Sequence, residues 1–228
     1  MPNAHSNRPQ ARDDSAATAE DVSLSIDVLA NDGRGAVRIW SLDQSDPANP
    51  STFAELEGGS TVGIGTNGEL LYKTAGKFDY LAEGETATDS FTYSVRAGSG
   101  PISTATVTIL VTGTNDPAVL SETRVKLKEG DDASDISTSG SVFIYDVDGP
   151  ETFVASTQAG QYGLFAIDEQ GEWTYQADGP HDEFKDGKTY TEIFTVEASD
   201  GTTSTVTIDI VGTADSPAML GADLAAFA

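Results

Sequence analysis

One pattern occurs twice in this chain, about a hundred residues apart. Residues 68–118 contain GELLYKT, LAEGETATDSFTYSV and TATVTILVTGTNDPA, and residues 171–218 contain GEWTYQA, FKDGKTYTEIFTVEA and STVTIDIVGTADSPA. Gly68 and Gly171, Tyr72 and Tyr175, Gly84 and Gly187, and Phe91 and Phe194 are each 103 positions apart. The offset falls to 99 at Gly113/Gly212 and Asp116/Asp215, which places a four-residue deletion in a loop between them. A period of this size is a whole domain repeated, and is too long for a small solenoid unit.

Within each copy the hydropathy alternates with period two. VSLSIDV (22–28), AVRIWSL (36–42), SFTYSV (90–95) and ATVTILV (105–111) carry the pattern in the first copy. RVKLK (124–128), SVFIY (141–145), EWTYQ (172–176), IFTVEA (193–198) and TVTIDIV (205–211) carry it in the second. Such alternation marks strands with one buried and one wet face, and Val and Thr suit both faces. Asn67-Gly68, Asp178-Gly179, Asp200-Gly201 and Gly98-Ser99-Gly100-Pro101 supply turns between them. Six or seven strands per hundred residues predict an all-β protein of two tandem antiparallel β-sandwiches. The expected organisation is a disordered arm at 1–18, sandwiches at 19–117 and 118–217, and a flexible tail at 218–228. Thr112–Ser121 is the joint, where Pro117 stops the preceding strand.

The chain holds 37 acids against 12 bases, a net charge of −25, with −9 up to Ala118 and −16 beyond it. Both halves are acidic, so the charge belongs to the surface. Such a surface repels nucleic acid and anionic membranes as direct partners. It also opposes compaction unless salt or bound divalent cations neutralise it. There is no cysteine, so neither a disulfide nor a thiolate zinc site can staple the fold; another staple is expected, and oxygen-ligated metal is the commonest substitute. No run of about 20 apolar residues is present to span a membrane. The amino-terminal stretch MPNAHSNRPQARDDSAA lacks the apolar centre of a signal peptide.

EDVSLSIDVLAND, NGELLYKT, TDSFTYSV and TATVTILVTGTNDPA resemble bacterial cadherin-like and VCBS-type repeats of secreted adhesins, and GSVFIYDVDGPE, YGLFAIDEQGEWTYQADG and GTADSPA resemble a second such repeat. The likeness covers roughly residues 19–218. With two modules and no glycine-rich calcium nonapeptides, the chain is similar to the rhizobial adhering (Rap) family. That resemblance implies a cadherin-like, calcium-binding lectin, exported by a type I system, that binds acidic exopolysaccharide. It also implies an uncleaved carboxy-terminal signal, for which Met219–Ala228 is the candidate.

The resemblance points to particular oxygens. Asp146-Val147-Asp148 matches the paired-acid motif that such modules present to an interdomain calcium, and on an extended strand its two carboxylates lie on one side, about 7 Å apart. Asn115-Asp116 in the joint matches the linker half of such a site. The plainer readings are a solvated strand end and a turn before Pro117. Asp89, Glu20-Asp21 and Asn31-Asp32 match further acidic motifs, although Gly33-Arg34-Gly35 replaces the acid expected after the last. Glu122 and Glu129 lie near enough in sequence to complete a shell, and Asp215 repeats Asp116 at a place with no following module to close a site.

Catalysis is not expected. There is no EF-hand loop, phosphate loop or dinucleotide fingerprint, and only His5 and His181 are available for a triad. For sugar contact the possible platforms are Trp40, Tyr80, Tyr162, Trp173 and Tyr175, although Trp173 and Tyr175 alternate on one strand face as core residues do. The function expected is therefore a secreted, extracellular or cell-surface calcium-binding lectin. Its partner is acidic exopolysaccharide or capsular polysaccharide, and it supports biofilm cohesion with weak self-association. The alternative is a calcium-stiffened spacer or homophilic adhesion module without glycan binding.

Overall fold

Val107, Ile109 and Val111 are buried while Thr108 and Leu110 between them face solvent, which is the period-two pattern turned into a strand with one wet side. The computed structural model describes residues 9–33, 38–42 and 50–214. The chain divides at Asp116–Pro117 into two compact units.

Among the described residues the first unit has eight strands: β1 (Asp14–Ala19), β2 (Leu24–Ile26), β3 (Ile39–Ser41), β4 (Phe53–Glu55), β5 (Thr61–Ile64), β6 (Leu70–Lys73), β7 (Thr86–Arg96) and β8 (Ile102–Thr112). They form two sheets, ordered β1-β8-β7-β3 and β2-β6-β5-β4. Val62, Leu70, Tyr72, Tyr93, Val107 and Ile109 fill the space between them. Burying each such side chain stabilises the fold by about 1.5–3 kcal/mol.

The second unit contains β9 (Val119–Leu120), β10 (Thr123–Lys128), β11 (Thr138–Ser141), β12 (Ile144–Tyr145), β13 (Ser156–Ala159), β14 (Gly163–Ile167), β15 (Glu172–Ala177), β16 (Thr189–Glu197) and β17 (Thr203–Val211), with a 3₁₀ turn at Ala133–Ile136. Its sheets run β10-β17-β16 and β11-β15-β14-β13, beside a two-stranded ribbon of β12 and β9. Phe165, Trp173, Tyr175, Phe194, Val206 and Ile208 form its core. The chain is all-β, two β-sandwiches in tandem, as its alternation predicts.

Three details depart from the sequence reading. Residues 14–18 are not a structureless arm: they belong to β1, which pairs with β8 from Asp14↔Val107 to Ala19↔Thr112. DSAATA has no large side chain, so its alternation has too little contrast to read, and the pairing comes from β8. Neither unit is purely antiparallel, because β1 joins β8 and β10 joins β17 in parallel. The run at 141–145 is two strands, since Val142 donates to Gly171 O on one side and Ser121 donates to Phe143 O on the other. The arm residues 1–8 and the tail 218–228 lie outside the described residues.

Candidate metal centres

At the end of β1 in the first unit the chain turns with Glu20 buried. The Glu20 N–H donates to Thr112 O, and its Oε1 accepts from Thr114 N at 2.6 Å and from Thr114 Oγ1 at 3.3 Å. Oε2 is buried with no hydrogen-bond partner. Burial pushes the Glu20 carboxyl up, Thr114 opposes the shift, and the charges of Asp116 and Asp21 add to it. Asp21 is exposed and accepts from Thr114 Oγ1 at 3.1 Å. Asn115 is exposed and donates from Nδ2 to Asp116 O. Glu20, Asp21 and Asn115-Asp116 therefore share one pole of this unit.

In the second unit Asp146 follows β12 directly. Strand geometry ends at Tyr145, so the paired acids do not lie on an extended strand as the sequence suggested. Asp146 Oδ1 instead accepts from Asp148 N at 3.2 Å and Gly149 N at 2.8 Å, closing a tight turn. Asp146 is 8% exposed, and its Oδ2 is buried without a partner. A Cβ on Gly149 would come within 2.6 Å of that oxygen, so only glycine leaves it room. The pairing Tyr145↔Val119 sets this turn beside Ala118. Ala118 N donates to Asp200 Oδ2 at 2.8 Å, which brings a further carboxylate to the same pole. Burial opposes the charge of Asp200, but donors from Ala118 and Thr202 outweigh it and hold the group below the usual range. The sequence reading passed over Asp200 as half of an Asp-Gly turn. Its repeat counterpart is Ala97, so comparing the copies could not flag it.

The remaining candidates lie elsewhere. Asp89 is taken up inside the first unit by Ser60 Oγ at 2.5 Å, Tyr72 OH at 2.7 Å, Lys77 Nζ at 2.9 Å and the Ser90 N–H at 2.9 Å. With both oxygens doubly bonded it has no lone pair suited to a metal. Asn31 and Asp32 sit at the opposite end of β1 from Glu20. There Arg12 O, Asp14 Oδ2, Val28 O and Asp32 Oδ1 all lie 3.0–3.1 Å from the Tyr93 hydroxyl. The hydroxyl has one proton and cannot donate to all four oxygens. Glu122 is exposed, and Asp215 lies outside the described residues. Glu129 repeats Glu20: its N–H donates to Val211 O, and its Oε2 accepts from Thr213 N and Oγ1, both at 2.7 Å.

Calcium takes about six to eight oxygen ligands at about 2.4 Å, from carboxylates, amides, carbonyls or water. The partnerless buried oxygens of Glu20 and Asp146 fit such an ion, because a buried unpaired carboxylate oxygen is costly and a cation satisfies it. Among the described residues no three His, Cys, Asp or Glu side chains converge closely enough to hold a metal by themselves. Calcium would accordingly draw on carbonyls, amides and water as well as these acids.

Of the aromatic candidates, Trp40 carries Arg38 and Arg96 over its ring, with guanidinium carbons 5.0 and 4.6 Å from the ring centroid. Tyr80 is exposed beside Phe78. Tyr162 packs edge-on against His181, Phe184 and Tyr190 as part of an aromatic cluster.

Residues 115–212 match the bacterial cadherin-like domain, and residues 6–110 match the bacterial Ig domain. Similar solved structures include Drosophila N-cadherin EC1-4, at 18% identity and a TM-score of 0.41, covering 89% of this chain and 49% of that one. The protocadherin GammaB4 extracellular domain shows 18% identity and a TM-score of 0.44 over 91% of this chain and 33% of its own. Mouse cadherin-23 EC22-24 shows 13% identity and a TM-score of 0.42 over 92% of this chain and 66% of its own. The chain thus spans between a third and two thirds of these structures' lengths. No curated protein matches the chain. Domains of the two matched kinds are adhesion or structural modules.

Proposed function

We propose that this chain is a calcium-binding adhesion protein of the bacterial exterior that binds acidic exopolysaccharide or capsular polysaccharide, as its resemblance to the Rap lectins implies. The observation that carries the calcium part is a set of buried, partnerless carboxylate oxygens: Glu20 Oε2 and Asp32 Oδ2 in the first unit and Asp146 Oδ2 in the second. In a chain with a net charge of −25, bound Ca²⁺ offsets repulsion among the carboxylates and lets a polyanion approach. Glu20, Asp21 and Asn115-Asp116 serve the first unit, and Asp146-Asp148 with Asp200 serve the second. Asn31 and Asp32 offer a further oxygen-rich place beside Tyr93. An extracellular setting suits millimolar calcium, and an affinity of about 10⁻⁴–10⁻³ M is expected. Among the described residues no helix is long and apolar enough to cross a membrane.

The test is calorimetric titration of Ca²⁺, followed by binding of purified acidic polysaccharide with and without a chelator. Heat of calcium binding and chelator-sensitive retention of polysaccharide are expected. Absence of the first removes the calcium reading, and absence of the second alone leaves a calcium-stiffened spacer. A second reading, homophilic adhesion, is favoured by the exposed side chains of Phe143, Tyr145 and Val147, with Val119 exposed opposite Tyr145. Concentration-dependent dimerisation in sedimentation experiments would support it.

A further inference from the structure

Acids outnumber bases three to one, yet two of the 12 bases lie against one indole. The salt bridges among the described residues use Lys77, Arg124 and His181 as cations, and neither Arg38 nor Arg96 takes part in one. In so acidic a chain, cations that form no salt bridge leave their charge available to a partner.

Local backbone structure presents them. Ile39 pairs with Val95 and Ser41 with Ser94, so Trp40 is the extra residue of a β-bulge in the edge strand β3. A bulge re-aims the side chain it carries. Ile39 and Ser41 are buried on either side while Trp40 is only partly covered. Arg96, the last residue of β7, donates from Nε to Gly100 O at 2.9 Å and from a terminal nitrogen to Ser99 O at 3.2 Å, which fixes its fork. Stacking on the indole and bonds to carbonyls remove rotamer freedom before any ligand arrives. The two guanidinium carbons lie no more than about 10 Å apart, within a Debye length, so their fields add.

Arg38 also forms part of the wall of a cleft of about 290 Å³, together with Asp27, Ile39, Ile64, Asn67 and Glu69. The cleft is of a size to take one sugar unit. Its lining combines a guanidinium, an amide, carboxylates and apolar side chains.

We propose that this cleft and the Arg38–Trp40–Arg96 cluster form the binding site for a carboxylate-bearing sugar unit. Arg38 meets the sugar carboxylate with its planar fork, a geometry lysine lacks. Arg96 adds a second positive charge, while Asn67 and Asp27 take sugar hydroxyls. This rests on the acidic-polysaccharide reading above and gives it a place.

The experiment uses the full chain in calcium, with oligogalacturonate as the probe and an uncharged dextran oligomer as control. Arg38→Gln/Arg96→Gln is compared with Lys126→Gln/Lys128→Gln, which removes charge from the exposed edge strand β10. Thermal melting establishes that both variants fold. The expected result is at least a tenfold loss of oligogalacturonate affinity in the arginine variant, little change in the lysine variant, and no dextran binding in any. Unchanged affinity in the arginine variant, or loss in the lysine variant instead, overturns the site and leaves the lectin reading standing. Equal retention of dextran overturns recognition of the carboxylate. Should the unmodified chain bind no acidic saccharide at all, both the site and the lectin reading fall, while the calcium reading stands.

Discussion

Tyr72 donates its hydroxyl to Asp89 in the first unit just as Tyr175 donates to Glu192 in the second, and the two members of each pair are 17 residues apart. All four side chains are buried. The partners differ in redundancy. Asp89 Oδ2 also accepts from Ser60, whereas Glu192 Oε2 has Tyr175 as its partner and the Gln161 and Tyr162 N–H groups serve Oε1. Tyr175→Phe leaves a buried carboxylate oxygen without a donor, at a cost of about 1–3 kcal/mol, while Tyr72→Phe leaves Ser60 in place. The larger fall in denaturation midpoint is expected for Tyr175→Phe. Equal midpoints in the two variants would show that the second donor on Asp89 adds nothing.

Asp89 also makes the first unit sensitive to acid. Burial alone would raise its pKa, but Ser60, Tyr72, Lys77 and the Ser90 N–H outweigh that and hold it below the ordinary 3.8. The folded state then binds the proton more weakly than the unfolded chain. Its contribution is complete above the unfolded value and disappears as pH falls through the lower, folded value. Asp89→Asn should lower stability at neutral pH and flatten its decline in acid. Circular dichroism midpoints recorded from neutral pH down to about pH 2 would show whether the two curves converge, as linkage requires.

His181 works in the opposite sense. It adopts a left-handed backbone with φ of 64°, held by Glu183 at Nδ1, Asp178 and Tyr162 O at Nε2, and a ring stacked on Phe184. Desolvation disfavours the imidazolium, but Glu183, the Tyr162 carbonyl and Asp178 prevail and raise its pKa above 6.5. The stabilisation is fully present below the unfolded value and is lost as pH rises through the folded one. The second unit is therefore expected to loosen slightly from neutral into mildly alkaline pH, and His181→Gln to remove that slope. NMR titration of the His181 ring would locate the transition, and a midpoint at or below the unfolded value would contradict this account.

The fold was legible in the sequence wherever large side chains alternate. Trp173 and Tyr175, read as core from their spacing, are both 1% exposed. Gly113 and Gly212, read only as repeat markers, prove to be packing positions: a Cβ would strike the carbonyls of Leu81 and Ala82 at one and of Lys185 at the other. β1 was hidden because Ala and Ser carry no hydropathy contrast. Asp89 was misjudged because a sequence motif shows acids and not their partners. Lys77, Ser60 and Tyr72 reach it across the fold. Glu20 was visible as an acid, but its unpartnered oxygen was not, since that depends on Thr114 returning beside it 94 positions later.

That oxygen permits a sharper test than metal binding alone. Without calcium, Glu20→Gln removes a buried charge set against Asp21 and Asp116, and Asp146→Asn removes another charge that has no partner at Oδ2. Neutralising such charges in the metal-free protein should leave stability unchanged or raise it. With calcium the order reverses, because the ion binds the folded state and adds about 2.7 kcal/mol at a hundred times its dissociation constant. Each variant should therefore match or exceed the unmodified chain in melting temperature with chelator present, and fall below it in about 10 mM Ca²⁺, roughly a hundredfold above a 10⁻⁴ M affinity. A purely structural role for either carboxylate predicts the same shift in both conditions. Crossing of the melting temperatures distinguishes a metal ligand from a buried acid that merely packs.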